Sequence, residues 1–236
     1  IAYNLSFNWG NPMLLTMEAQ NLTPIINTDP VELGVNEGNR AMVLARFKAD
    51  ADYARRFAEA FAGEADPVTL PNVVKALASF SRTLLSYRAP FDRFEAGDAA
   101  ALSESAQRGM ALFESERLEC DACHGGFNFS DSTRVSGSEQ PVFHSTGLYN
   151  ITNADGSMNN YPPKNQGVFE TTRNVNDKGR MRAPSLRNIA LTAPYNHDGS
   201  VATLGEVIDN YARGGRFVTN PPTQFGDGRT NVNKDG

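Results

Sequence analysis

This sequence predicts a mainly α protein with long ordered loops, and three observations carry the prediction. Apolar residues recur at helical spacing through much of the first half of the chain. Both cysteines fall within one five-residue motif. The stretch after that motif is rich in Gly, Asn, Ser and Pro and has little periodicity. With 236 residues, 40% of them hydrophobic, the chain is long enough for one large or two small domains with a core.

Between Arg40 and Phe61 the residues Val43, Leu44, Phe47, Tyr53, Ala54, Phe57 and Phe61 keep helical spacing, which predicts one or two helices. Pro71 opens a further helix. Its stripe of Val73, Val74, Leu77, Phe80, Leu84 and Leu85 ends before Pro90 and reads as core-facing. Ser103 can cap a helix that runs through Met110 to Phe113 and delivers the chain to Cys120. Residues 125–184 read as ordered loop, a length that needs something to wrap around. Thr203-Leu204-Gly205-Glu206 has the capping-box pattern and starts a helix on which Leu204, Val207 and Tyr211 share a face. Gly214-Gly215 stops it.

Cys120-Asp121-Ala122-Cys123-His124 is the signature of c-type haem attachment. Two thiols at this spacing each add to one vinyl group of the porphyrin, and the adjacent imidazole reaches the iron. A structural zinc site needs four donors, and a CxxC redox pair has no use for His124. The haem would supply the core that the following loops lack.

A net charge of −5 and a pI near 5.3 argue against nucleic acid and against an anionic membrane surface as partners. No apolar run approaches the roughly 18 residues needed for a membrane span. Haem is attached covalently outside the cytoplasm, so a periplasmic location is expected. No signal peptide opens the chain; Ile1-Ala2-Tyr3-Asn4-Leu5 reads as the middle of an element and the last residues as an unfinished loop, so a piece of a longer protein is expected.

Several stretches together resemble the di-haem cytochrome c peroxidase and MauG superfamily. They are Ala76-Leu77-Ala78-Ser79-Phe80-Ser81-Arg82-Thr83-Leu84, Pro90-Phe91-Asp92-Arg93-Phe94, Arg108-Gly109-Met110-Ala111-Leu112-Phe113, Ala183-Pro184-Ser185-Leu186-Arg187-Asn188 and Leu191-Thr192-Ala193-Pro194-Tyr195-Asn196-His197-Asp198-Gly199. Asp29-Pro30-Val31-Glu32-Leu33-Gly34, Glu116-Arg117-Leu118-Glu119, Gly125-Gly126-Phe127-Asn128-Phe129 and Phe143-His144-Ser145-Thr146-Gly147-Leu148-Tyr149-Asn150 look most like the methanobactin-associated di-haem enzyme MbnH and its relatives. The resemblance implies two cytochrome c-like domains, the first incomplete here. Residues 1–95 would be the remainder of the N-terminal peroxidatic domain with linking helices, and residues 96–236 the C-terminal haem domain. The first attachment motif would lie upstream of Ile1 and a closing helix beyond Gly236; the other possibility is a natural single-haem derivative.

The resemblance also implies roles. His124 is the proximal iron ligand and Tyr211 falls at the distal position, where peroxidases of the superfamily use a methionine; no methionine follows Met181. A phenolate is a hard donor that favours Fe(III) and higher states. Taken as a residue alone, Tyr211 reads as a core tyrosine. Trp9, the one tryptophan, would stand between the two haems and relay an electron or hole. Gln20, Pro24 and Glu32 would serve peroxide at the first haem: Gln20 orienting it, Pro24 keeping the sixth position open and Glu32 shuttling a proton. Thr192 and Pro194 would offer carbonyls to a calcium ion. Apart from the resemblance, geometry alone suggests Arg182 and Arg187 for haem propionates, and His144 and His197 could each bond a propionate or a backbone carbonyl, a structural role being as open to them as a redox one. MauG has a tryptophan two residues before its second motif as an exit for holes; here that position is Leu118.

The activity implied is a peroxide-driven oxidase that reaches a bis-Fe(IV) state and oxidises tryptophan to kynurenine on a periplasmic copper-binding protein of the MbnP type. The alternatives are a di-haem cytochrome c peroxidase that reduces hydrogen peroxide to water and a single-haem electron-transfer cytochrome.

Overall fold

The computed structural model describes residues 11–29, 31–132, 142–148, 150–152, 161, 166–215 and 217–219. These are mainly helical: α1 (Met17–Ile26), α2 (Arg40–Ala49), α3 (Ala51–Ala60), α4 (Leu70–Thr83), α5 (Pro90–Glu95), α6 (Glu104–Phe113), α7 (Asp121–His124), α8 (Phe169–Thr172) and α9 (Leu204–Ala212). Strand β1 (Asn150–Thr152) pairs in parallel with β2 (Phe217–Thr219), Asn150 opposite Phe217. The chain divides into two units, with the described residues of Met13–Leu85 in one and those from Ser86 onward in the other.

In the first unit α1 packs against α4. Thr16 caps α1 by accepting the Ala19 amide at 3.0 Å. Ile25, Val35 and Val74 form the core, with Leu22, Val43 and Leu70 packed around it. The Arg40 to Phe61 periodicity resolves into two helices because Asp50 interrupts it. Its carboxylate accepts the amides of Asp52 and Tyr53 and so starts α3 afresh.

The expected stripe of α4 is only partly core. Asn72, Val74 and Ala78 are buried, whereas Leu77, Phe80, Leu84 and Leu85 are exposed, Phe80 by 63%. The buried face meets Ile25 of α1 through Val74 and also includes a small residue, Ala78. It also carries a polar group, Asn72, satisfied by Glu64 at 2.8 Å, the Pro67 carbonyl at 3.0 Å and Lys75 at 3.1 Å. A count of apolar residues could not see that choice of face.

In the second unit Ser103 caps α6 as expected, accepting the Ala106 amide at 3.2 Å. The capping box of α9 is formed: Thr203 Oγ1 accepts the Glu206 amide at 3.2 Å, and the Glu206 carboxylate accepts the Thr203 amide at 2.9 Å. Gly214 and Gly215 end that helix with positive φ, Gly215 donating to the Asn210 carbonyl at 2.8 Å. Between Gly125 and Pro184 the described residues are mostly turn and extended backbone, as the composition predicts.

The unit is cross-tied by Arg187, expected at a propionate but committed elsewhere. Its guanidinium donates to both Asp92 oxygens, at 2.7 and 3.0 Å, and through Nε to the Phe127 carbonyl at 2.6 Å. It also lies over the Phe127 ring, 4.1 Å from the centroid. Its side chain is 4% exposed and that of Asp92 19%. Desolvation therefore makes the intact pair hydrogen-bonded and the broken pair expensive.

Glu18 and Arg82 make a similar two-point pair in the first unit, at 2.7 and 2.9 Å, but with side chains 36% and 45% exposed. Exposure decides the comparison. Replacing Arg82 with glutamine is expected to cost about 1 kcal/mol or less, and replacing Arg187 with glutamine roughly 3–5 kcal/mol, both read by urea denaturation. The Arg187 hydrogen bonds hold the Asp92 carboxyl below the usual carboxylate range, helped by the Ala89 amide and opposed by burial. A lowered folded value means stability that is complete above the unfolded carboxylate range and lost as pH falls through the folded value. Asp92→Asn should therefore be less stable at neutral pH and flatten the acid limb of stability below about pH 4.

Candidate functional site

The cysteine motif sits on α7, a single turn closed by the His124 amide donating to the Cys120 carbonyl at 2.9 Å. Cys120 and Cys123 are free thiols, each partly buried. After His124 the chain reverses tightly. Gly125 leaves no room for a side chain, since a Cβ there would lie 2.6 Å from the Asp121 carbonyl oxygen. The turn is then closed by Phe129 to Gly126 and Ser130 to Gly125 bonds, both 3.0 Å, and by the Asp131 amide donating to Cys123 at 2.9 Å.

This reversal aims the Phe129 carbonyl at the imidazole. It lies 3.0 Å from His124 Nδ1, which therefore acts as donor and leaves Nε2 as the nitrogen with a lone pair to offer a metal. Phe129 is held by edge-to-face contacts with Phe91, centroids 4.8 Å apart, and with Phe113 at 6.3 Å. A cavity of about 580 Å³ borders this proximal side, lined by His124, Phe91, Phe113, Phe127, Phe129 and Arg187 among others.

Tyr211, on α9, comes within electrostatic reach of both cysteines. Half of its surface is open. Burial around the hydroxyl, with the two cysteine sulfurs, pushes its phenol above the usual range. Its proton would leave in exchange for a metal cation, as at a ferric centre.

Near Cys123 lies a pair that the sequence did not announce. His144 Nε2 bonds the Asp131 carboxylate rather than a propionate or a backbone carbonyl. Cys123, Asp131 and His144 place their ligand-type atoms within 4.8 Å of one another. A metal ion held by these three would need a thiolate, and burial together with the Asp131 and Cys120 charges pushes the Cys123 thiol up. The donor set thus fits an attached haem better than a bare ion. Asp131 and His144 are 13 residues apart and share no motif spacing, so no sequence signal could have found them.

The other predicted residues stand as follows. Gln20 and Pro24 lie on α1, one helical turn apart and partly buried. Pro24 cannot donate to the Gln20 carbonyl, so the helix is locally loosened there. The Pro24 carbonyl accepts the Leu33 amide at 3.0 Å, which brings Glu32, exposed, beside the end of α1. Thr192 and Pro194 lie on an exposed turn, and neither carbonyl accepts a hydrogen bond among the described residues. His197 is exposed and Leu118 half-exposed. Trp9 lies outside the described residues. No helix among the described residues is long and apolar enough to cross a membrane.

The profile of the di-haem cytochrome c peroxidase family matches residues 1–100. Methylamine utilization protein MauG of Methylorubrum extorquens is 34% identical over 215 residues, covering 91% of this chain and 53% of that protein. Cytochrome-c peroxidase IdrP1 of Denitromonas iodatirespirans is 35% identical over 192 residues, covering 75% of this chain and 50% of that protein. The solved structure of a MauG-like protein associated with microbial copper homeostasis superposes with a TM-score of 0.83 at 45% identity, over 95% of this chain and 63% of that one. The chain thus spans about half the length of the two relatives.

A methyl group at Gly125 would collide with the Asp121 carbonyl and move the loop that orients His124. Gly125→Ala is expected to lower the yield of covalently attached haem several-fold. Removing both thiols, Cys120→Ala with Cys123→Ala, should leave none after acid-acetone extraction. Pyridine haemochrome absorbance against intact mass reads both.

Proposed function

Because the chain belongs to the di-haem cytochrome c peroxidase and MauG superfamily, we propose that it is part of a periplasmic enzyme that uses hydrogen peroxide to oxidise a tryptophan on a partner protein, after the manner of MbnH. The observation that carries this reading is Tyr211, an oxygen donor on α9 within electrostatic reach of both motif cysteines; by the resemblance, peroxidases have a methionine at this position. A similarity to a MauG-like protein associated with copper homeostasis supports it further and makes a copper-binding, MbnP-like partner the first to try.

Haem c fits the residues present. Cys120 and Cys123 would hold it by thioethers, His124 Nε2 and the Tyr211 oxygen would bind the iron, and the bound group would supply the capacity to take oxidising equivalents from peroxide. The Phe129 carbonyl keeps the His124 proton on Nδ1 and so raises the donor strength of Nε2. With an oxygen donor from Tyr211 the bound group would resist reduction, which suits an oxidase better than a store of electrons.

At the peroxide side, the Glu32 carboxylate would take a proton from one peroxide oxygen and return it to the other. The Gln20 side-chain amide would orient the peroxide, and the Pro24 ring, which has no ligating atom, would keep the distal position open. The Leu33 to Pro24 hydrogen bond supports this grouping by placing Glu32 and Pro24 together. Trp9 would carry charge between two haems. The carbonyls of Thr192 and Pro194 would serve a calcium ion, a hard cation suited to oxygen donors.

A second reading, reduction of peroxide to water with external electrons, is favoured by a relative of similar identity, 35% against 34%, that is called a cytochrome-c peroxidase. The readings part on one experiment with the full-length haem protein and a copper-binding partner. Peroxide alone should produce a near-infrared band and an oxidised tryptophan in the partner by mass spectrometry, and Tyr211→Met should abolish both. Turnover that requires a reduced cytochrome and leaves the partner unchanged would establish the peroxidase reading instead. If Tyr211→Phe left the ferric spectrum unaltered, Tyr211 would not be a ligand.

A further inference from the structure

Arg182 is a largely buried cation with no anion among the described residues. Its Nη1 is shielded from solvent and makes no hydrogen bond there. Burial alone acts on the group, pushing its pKa down, and no described carboxylate offsets it. Arg187, five residues on, shows the contrast, with three hydrogen bonds to Asp92 and Phe127. A buried unpaired charge remains costly even after relaxation, and a marginally stable domain does not keep one without a partner. The residue is therefore built for a partner that is not a side chain of the described residues.

The backbone around Arg182 indicates where that partner lies. Met181 exchanges hydrogen bonds with His144, at 2.7 and 2.8 Å, and the Ala183 carbonyl accepts Ser130 Oγ at 2.6 Å. Both contacts are to the segment that leaves the cysteine motif. Asp131 is tied to the Cys123 carbonyl, and the Asp131 and His144 side chains lie beside the Cys123 sulfur. Arg182 is thus flanked on either side by residues tied to the stretch of chain that follows the cysteine motif. Asp131 does not serve as its anion: one carboxylate oxygen is held by His144, and although the other has no hydrogen-bond partner among the described residues, no charge of Asp131 acts on Arg182.

We propose that the Arg182 guanidinium pairs with a propionate of the haem attached at Cys120 and Cys123 and thereby sets the reduction potential of that haem. An arginine recognises a carboxylate through two parallel N–H donors, and Nη1 supplies one of them. The fixed positive charge keeps the propionate ionised and offsets its field at the iron. Arg182 acts through the haem periphery as a positioning residue and touches no substrate. The inference rests on haem attachment alone and is independent of which peroxide reading holds.

The test is spectroelectrochemistry of the full-length haem protein between pH 5 and pH 8, with pyridine haemochrome first confirming haem content. Arg182→Gln should shift the potential of this haem to a more negative value and give it a pH dependence that the unaltered protein lacks. Arg182→Lys, which keeps the charge, should restore most of the potential. Equal potentials and equal pH profiles in the glutamine variant and the unaltered protein would overturn the proposal. Should Arg182→Gln not accumulate as a folded haem protein, resonance Raman of the unaltered protein decides. A propionate bending band that stays fixed across the pH range supports an arginine-held propionate, and a band that titrates rules it out.

Discussion

The orientation of His124 depends on a buried ion pair that does not touch it. Asp92, at the start of a short helix, grips Arg187, and Arg187 in turn holds the Phe127 carbonyl. Phe127 belongs to the reversal whose next carbonyl but one, that of Phe129, takes the His124 Nδ1 proton. The tautomer of His124 is therefore set by a turn that Arg187 anchors at Phe127 and that Phe91 and Phe113 pack against at Phe129. Shielding matters more than the number of contacts. The Glu18–Arg82 pair has the same two-point geometry, but water competes for it, so it contributes far less.

The loops of the second unit make sense as the wall of a cofactor site rather than as a failed core. Polar groups that a protein interior would normally satisfy have no partner among the described residues. Arg182 has such a buried nitrogen, and the side chain of Asn210, next to Tyr211, has such an oxygen. Orphans of this kind are rare in finished interiors, and they gather where a further group belongs. The tyrosine itself points the same way, since half of its surface is open while burial pushes its phenol up.

Much of this is legible in the order of the residues. The caps at Ser103 and Thr203, the glycines after Ala212 and the haem motif are each read from a few neighbouring positions. The grouping of Gln20, Pro24 and Glu32 comes from resemblance, and the Leu33 to Pro24 bond is the contact that brings two of them side by side. The α4 stripe misleads because periodicity reports that a helix has an apolar face without reporting which neighbour covers it. Ala78 and Asn72, which lie outside that stripe, are among the residues α4 buries. Arg187 departs from expectation for a related reason: a lone arginine near a haem motif could serve a propionate or a carboxylate, and its sequence neighbours cannot distinguish them.

By itself the sequence determined the caps of α6 and α9, the glycine stop after α9 and the motif from which haem attachment and a ligand role for His124 are expected. Those depend on hydrogen bonds and covalent chemistry spanning four residues or fewer, where chain connectivity already brings the groups together. The tertiary structure alone decided that Arg187 meets Asp92 from 95 residues away, that His144 meets Asp131, and that Arg182 meets no anion among the described residues. A charged side chain is satisfied or not according to what is desolvated beside it, and that neighbour is chosen by how distant segments pack, not by what precedes and follows it in the chain.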